Sequence, residues 1–343
     1  MQTQANNGPR RRVAVIGAGA WGTALAGLLA EAGHEVRIWA YEPEVAQAIN
    51  QLHENTVFLP KAKLPESLTA DSDLSRVLPG VEMAVLVMPS HVFRNILTQA
   101  AAHIPKDAIL ISCSKGIEEG TGFSMCEVAK DALPPELHRG LCCLSGPSFA
   151  KEVAAGAPTA VTVASHNADA AREVQLAFST SRFRVYTSYD LTGVELGGAI
   201  KNPLAIAAGM CAGLGLGHNS MAALITRGLA EMTRLSLAKG GQIATLAGLA
   251  GLGDLVLTCT GELSRNRTVG TRLAKGESID QITSSTKTVA EGVRNTKTVA
   301  ELAKRNNVDM PIIAAVYQVI YQDKSPKTIV NDLMTRDLKP EHY

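Results

Sequence analysis

The sequence predicts an α/β fold: a doubly wound sheet over residues 1–192, followed by an all-α domain over residues 193–343. Three observations predict it. A glycine-rich turn, Gly17-x-Gly19-x-x-Gly22, sits between a β-type run and a helical pattern. Short, fully apolar runs of the kind buried in parallel sheets recur between helical patterns, as in MAVLVM at 83–88 and AILISC at 108–113. Strand signals then cease near Thr187, and only helical periodicity continues. A chain of 343 residues is long enough for two such domains.

The elements follow in order. Residues 1–10 are polar, lack the apolar stretch of a signal peptide, and are expected to be a loose tail. The first strand is 13–16. The helical pattern TALAGLLAEAG comes after the glycine turn and closes at Gly33, and 35–39 is the second strand. Strand, glycine turn, helix and strand in this order form the dinucleotide-binding unit of a Rossmann-type sheet. Gly17 permits the tight turn, Gly19 the approach of a pyrophosphate and Gly22 close helix–strand packing, while the helix N-terminus offers N–H groups to the phosphates. Glu42, about 20 residues past the last glycine, is either an acceptor for a ribose hydroxyl or a surface carboxylate at a strand end.

Further strands are expected at 83–88, 108–113, 141–144, 159–164 and 183–187. Two of them run into polar turns, Ser114-Lys115-Gly116 and Ser145-Gly146-Pro147-Ser148. Alone, the first reads better as a solvated loop lysine and the second as a plain Gly-Pro turn. In an open α/β sheet, however, ligands collect beyond the carboxyl ends of the strands, where the glycine turn also opens.

The second half reads as helices at 194–210, 221–240, 298–305, 314–322 and 328–336, with Asn219 or Ser220 as an N-cap. The stretch ELGGAIKNPLAIAAGMCAGLGLGHN is small and apolar apart from Lys201 and Asn202. A lysine among such residues is poorly solvated, which lowers its pKa and suits it to proton transfer unless it snorkels outward. The flanking glycines and alanines are expected to leave room for substrate and nicotinamide. Asp254, in GLAGLGDLVLTCT, is either the partner of Lys201 or a helix cap. Ser264-Arg265-Asn266-Arg267 gathers two guanidiniums and two neutral hydrogen-bonding groups, a set suited to phosphate oxygens at a helix start.

Composition narrows the function. The net charge of +1 gives no electrostatic basis for binding nucleic acid or an acidic membrane. The six cysteines form no CxxC pair and no zinc-like spacing with histidine, so no metal is expected and a reducing cytoplasm is. The longest weakly polar run is too short and too glycine-rich for a membrane span. The Gly- and Ala-rich helices can pack within one chain or between two, which leaves a homodimer open. A dinucleotide turn, two lysines, a carboxylate and a phosphate clamp, with no recognisable nucleophile, fit hydride transfer to a phosphorylated carbonyl compound.

On the blocks VAVIGAGAWGTALA, SKGIE, LSGPSFAKEV, GAIKNPLAIAAG, GLAGLGDLVLTCT, SRNRTVG and VAEGVRNTK, the chain resembles the bacterial NAD(P)-dependent glycerol-3-phosphate dehydrogenase family over nearly its whole length. The resemblance implies reduction of dihydroxyacetone phosphate to sn-glycerol 3-phosphate with NAD(P)H, feeding phospholipid synthesis. It implies Lys201 as proton donor and acceptor, Asp254 beside it, and Lys115 touching substrate and cofactor. Gly146, Ser148, Ser264, Arg265 and Asn266 become substrate contacts. Gly17, Gly19, Ala20, Trp21, Gly22, Tyr41, Ala150, Arg265, Val289 and Glu291 become cofactor contacts. Ala20 stands where many members carry serine, and Tyr41 where many carry arginine or histidine, which puts a preference for NADP in doubt. The rival expectations are a β-hydroxyacid or 6-phosphogluconate-type dehydrogenase, and a non-catalytic dinucleotide sensor.

Overall fold

The computed structural model describes residues 8–285 and 290–341. The sheet half alternates strands and helices in chain order: β1 Arg12–Ile16, α1 Ala20–Glu31, β2 Glu35–Trp39, α2 Pro43–Leu52, β3 Thr69–Asp71, α3 Leu74–Val77, β4 Met83–Leu86, α4 Ser90–Ala100, β5 Ile109–Ser112, α5 Met125–Ala132, β6 Cys142–Ser145, α6 Ala150–Ala154, β7 Thr159–Ser165, α7 Ala168–Phe178 and β8 Phe183–Ser188. Among the described residues these strands form one sheet in the order β3-β2-β1-β4-β5-β6-β7-β8. The strands from β3 to β6 are parallel neighbours, so the turns after β1, β4, β5 and β6 open on one edge. β7 runs antiparallel to β6, and β8 is parallel to β7. Apolar clusters cover both sheet faces, which is why the parallel strands read as unbroken apolar runs. The sequence gives no strand signal for β3, a three-residue edge strand with polar ends.

After β8 the chain is helical: α8 Leu191–Gly213, α9 Gly217–Ala238, α10 Ile243–Leu246, a π-helical turn Leu249–Gly253, α11 Asp254–Thr260, α12 Arg265–Ala274, α13 Ile279–Ser284, α14 Glu291–Arg305, α15 Pro311–Tyr321 and α16 Pro326–Met334. Their shared core is the third apolar cluster. α9 starts at Gly217, with Leu216 in the capping position, rather than after Asn219 or Ser220.

α8 is the axis of this half. All of its residues except Thr192, Ala212 and Gly213 are buried, as expected of a helix apolar on every side. Gly197 and Gly209 serve helix packing, a correction to the expectation that the glycines of this stretch leave room for ligands. A Cβ on Gly197 would come within 2.4 Å of the Ala250 oxygen, and one on Gly209 within 2.0 Å of the Arg267 oxygen. From the facing helix, a Cβ on Gly270 would come within 1.9 Å of the Ile206 oxygen. Near its start α8 is tied to the sheet half. The buried Glu195 carboxylate accepts from the Ser124 hydroxyl at 2.7 Å and the Cys126 N–H at 2.8 Å, at the first turn of α5. Three residues on, Gly198 passes the end of β6, where a Cβ would come within 2.8 Å of Ser145 Oγ.

Candidate active site

The glycine turn after β1 has the shape a dinucleotide needs. Gly17 has φ +116°, which an L side chain rarely adopts, and a Cβ there would come within 2.7 Å of the Val87 oxygen. A Cβ on Gly22 would meet the Gly17 oxygen at 1.9 Å, so α1 can lie on the turn only without a side chain. Gly19 faces open space. No side chain caps α1 and no acidic residue sits in its first turn, which leaves its N–H groups and dipole directed at an anion. These residues fit a pyrophosphate. Ala20, Trp21 and Ala150 are partly buried against one core cluster beside the turn. Tyr41 lies past β2, 75% exposed, with its ring edge-on to Trp39. Val289 lies outside the described residues.

Across the same edge, Asp254 holds two lysines. Its Oδ1 accepts from Lys201 Nζ and its Oδ2 from Lys115 Nζ, the latter at 2.6 Å. Lys115 comes from the turn after β5, Lys201 from α8 and Asp254 from the first residue of α11. Lys201 also donates to the Thr258 hydroxyl at 2.9 Å, and Lys115 to the Gly146 oxygen at 3.4 Å. Asp254 is 1% exposed and Lys201 7%. Burial pushes the Lys201 ammonium down to about 7; Asp254 opposes that and Lys115 adds to it. Burial alone would raise the Asp254 carboxyl, but the two lysines together hold it below the usual carboxylate range. The cluster therefore holds a carboxylate, an ammonium and a lysine that exchanges its proton near neutrality.

The phosphate-type run borders this cluster. Ser264 caps α12, its hydroxyl accepting from the Arg267 N–H at 3.2 Å, so the Ser264 hydroxyl is already engaged. Asn266 donates to Asn202 Oδ1 at 3.0 Å and accepts from the Gly292 N–H at 3.0 Å, which fixes its amide. The Arg265 side chain is exposed; crowding lowers its pKa and Glu291 opposes this, yet a guanidinium stays charged throughout. Glu291 opens α14 and accepts from the Ser90 hydroxyl at 2.8 Å and the Ser90 N–H at 3.3 Å, on α4 of the sheet half. Ser148 donates to the Gly146 oxygen at 3.0 Å beside Lys115. Gly146 is buried, and a Cβ there would come within 2.9 Å of Val161 Cα.

The fold thus assembles the predicted glycine turn, both lysines, Asp254, the SGPS turn, the SRN run and Glu291 from distant parts of the sequence. Sequence reasoning missed Thr258 and Ser90. Thr258 lies four residues after Asp254 on α11, a helical spacing that could have marked it as a neighbour of the carboxylate. Ser90 had no signal beyond its place at a strand end.

Known proteins match this chain over nearly its whole length. The model described as NAD-dependent glycerol-3-phosphate dehydrogenase N-terminus matches residues 12–171, and its C-terminus counterpart matches residues 190–331. A glycerol-3-phosphate dehydrogenase [NAD(P)+] of Geobacter sp. (strain M21) is 53% identical over 330 residues, 96% of this chain and 98% of that protein. One from Koribacter versatilis (strain Ellin345) is 53% identical over 327 residues, 95% of this chain and 97% of that one. The crystal structure of glycerol-3-phosphate dehydrogenase from Coxiella burnetii superposes with a TM-score of 0.91 at 40% identity, covering 95% of this chain and 99% of that one. With both halves matched and near-complete coverage on either side, the chain belongs to the NAD-dependent glycerol-3-phosphate dehydrogenase family.

Proposed function

We propose that this chain reduces dihydroxyacetone phosphate to sn-glycerol 3-phosphate with NAD(P)H, with Lys201 as the general acid, and catalyses the reverse oxidation with Lys201 as the base. The observation that carries the reading is the pair of lysines on one buried Asp254, at the edge where the glycine turn opens. The nicotinamide cofactor, when bound, supplies or accepts the hydride. Lys201 gives a proton to the C2 oxygen as it gains charge and takes one back on oxidation. Asp254 and Thr258 fix the ammonium, and Lys115 adds a second cation to stabilise the forming alkoxide. Ser264, Arg265 and Asn266, with the N-terminus of α12, hold the substrate phosphate, and Gly146 and Ser148 border its carbon chain. Gly17, Gly19, Ala20, Trp21, Gly22, Tyr41, Ala150 and Glu291 border the cofactor.

The same reading divides the chain after residue 192 into a dinucleotide-binding and a substrate-binding domain. It places the enzyme in the cytoplasm, with its product entering phospholipid synthesis. The segment Ile243–Thr260 has a mean hydropathy of 1.6 over 18 residues, enough in length and composition to cross a membrane. It carries the ion-paired Asp254 and packs on α8, which supports a place inside a water-soluble fold. Exposed apolar side chains at Leu237, Ile243, Val256 and Leu263 support association into a homodimer.

The test is Lys201→Ala, assayed for turnover of dihydroxyacetone phosphate and for NADPH binding by fluorescence. Turnover is expected to fall at least about a hundredfold while binding persists. Turnover near the unmodified level removes Lys201 from the chemistry.

A further inference from the structure

α8 contains a proline in its interior, Pro203, two residues past Lys201. A proline has no N–H to donate to the carbonyl four residues back, and its ring crowds that carbonyl. The carbonyl in question belongs to Ala199, two residues before Lys201. The turn of helix that carries Lys201 and Asn202 therefore lacks one of its own hydrogen bonds. Ala199 and Pro203 are both buried, so water is a poor substitute. The missing donor comes from another helix: Asn295 Nδ2, on α14, donates to the Ala199 oxygen at 3.3 Å.

Asn295 is fully buried, and its amide makes no other hydrogen bond among the described residues; its Oδ1 is without a partner. A buried amide that makes one of its four available hydrogen bonds is retained at an energetic penalty, so the bond it does make matters. The carbonyl can only accept, which directs the amide nitrogen toward α8. Asn295 lies one helical turn after Glu291, on the same face of α14. It also sits close to the turn that presents Lys115: a Cβ on Gly116 would come within 3.3 Å of Asn295 Oδ1.

We propose that Asn295 is a positioning residue for the reaction: it replaces the helix hydrogen bond that Pro203 removes and so fixes the turn from which Lys201 reaches Asp254. It touches neither Lys201 nor Asp254 and acts through the backbone of α8 alone. The proposal rests on Lys201 as the proton-transferring group.

The test is a double-mutant cycle of Asn295→Ala and Pro203→Ala, because Pro203→Ala restores an N–H for the Ala199 carbonyl and makes Asn295 dispensable. In the native background Asn295→Ala is expected to lower kcat roughly tenfold to a hundredfold and to move the midpoint of the kcat–pH profile, with a smaller change in KM. In the Pro203→Ala background the same substitution is expected to change kcat less than about threefold and to leave the midpoint in place. An equal loss in both backgrounds, or an unchanged kcat and midpoint in the first, overturns the proposal. If Asn295→Ala alone does not fold, a folded double variant with the turnover of Pro203→Ala supports it, and a double variant that also fails to fold overturns it. Lys201→Ala, assayed in parallel, separates the two readings. If that variant keeps its turnover, the role of Lys201 falls, while thermal melting of the four chains still reports whether Asn295 and Pro203 are coupled.

Discussion

Lys201 exchanges its proton near neutrality because its surroundings disagree about it. Burial favours the neutral amine, Asp254 favours the ammonium, and Lys115 competes for the same carboxylate. The sign of the resulting pH dependence follows. With Lys201 as the proposed proton donor, kcat for reduction should decline as pH rises through about 7. Oxidation needs the unprotonated amine, so its kcat should decline as pH falls through about 7. Initial rates in both directions between pH 5.5 and 9 (an assay range of about three and a half units) check this, and two limbs of the same sign would rule Lys201 out. The lysine and the aspartate were legible in the sequence because an isolated charge in an apolar run has few ways to exist. Thr258 was missed: its helical spacing from Asp254 marks it as a neighbour of the carboxylate, but only the structure shows that it accepts from Lys201.

At the scale of elements, the spacing of apolar residues located most strands and the longest helices but misjudged what the small residues of α8 do. Glycine reads the same in sequence whether it faces a ligand or another backbone. Here Gly209 and Gly213 face α12: a Cβ on Gly213 would come within 2.7 Å of the Ala274 Cβ and 2.9 Å of the Thr271 oxygen. The backbone that Gly209 approaches belongs to Arg267, in the run proposed to hold the substrate phosphate. Gly209→Ala should therefore force the two helices apart. The expected result is a loss of about 1–3 kcal/mol in stability by urea unfolding, with a raised KM for dihydroxyacetone phosphate. A variant of unchanged stability and KM would show that α12 can shift without disturbing its N-terminus. The contact of Glu195 with the first turn of α5 was equally hidden, because the partners lie 69 and 71 positions apart in the chain.

At the scale of the whole molecule, the site exists only where the two halves meet. The sheet half supplies Lys115 and the glycine turn, and the helical half supplies Lys201 and Asp254. Ser90 and Glu291 join the halves again after β4, between the glycine turn and the turn that carries Lys115. That two-part plan was legible from where strand signals stop; the contacts across it were not, since sequence spacing carries no information on which loop meets which helix. The reversal of β7 against β6 has its own consequence here. It returns the chain to the edge of the sheet opposite the site, so α8 must climb the full height of the strands before it can act. From Leu191 to Lys201 is ten residues, about 15 Å at about 1.5 Å per residue, close to the length of the strands it passes. α8 thus works as a measuring rod, its foot set at the far edge and its catalytic mark fixed by residue count. One alanine inserted between Thr192 and Gly197 would move that mark by about 1.5 Å and swing it by about 100°. Turnover should disappear while cofactor binding at the glycine turn, which α8 does not carry, survives in the same fluorescence titration.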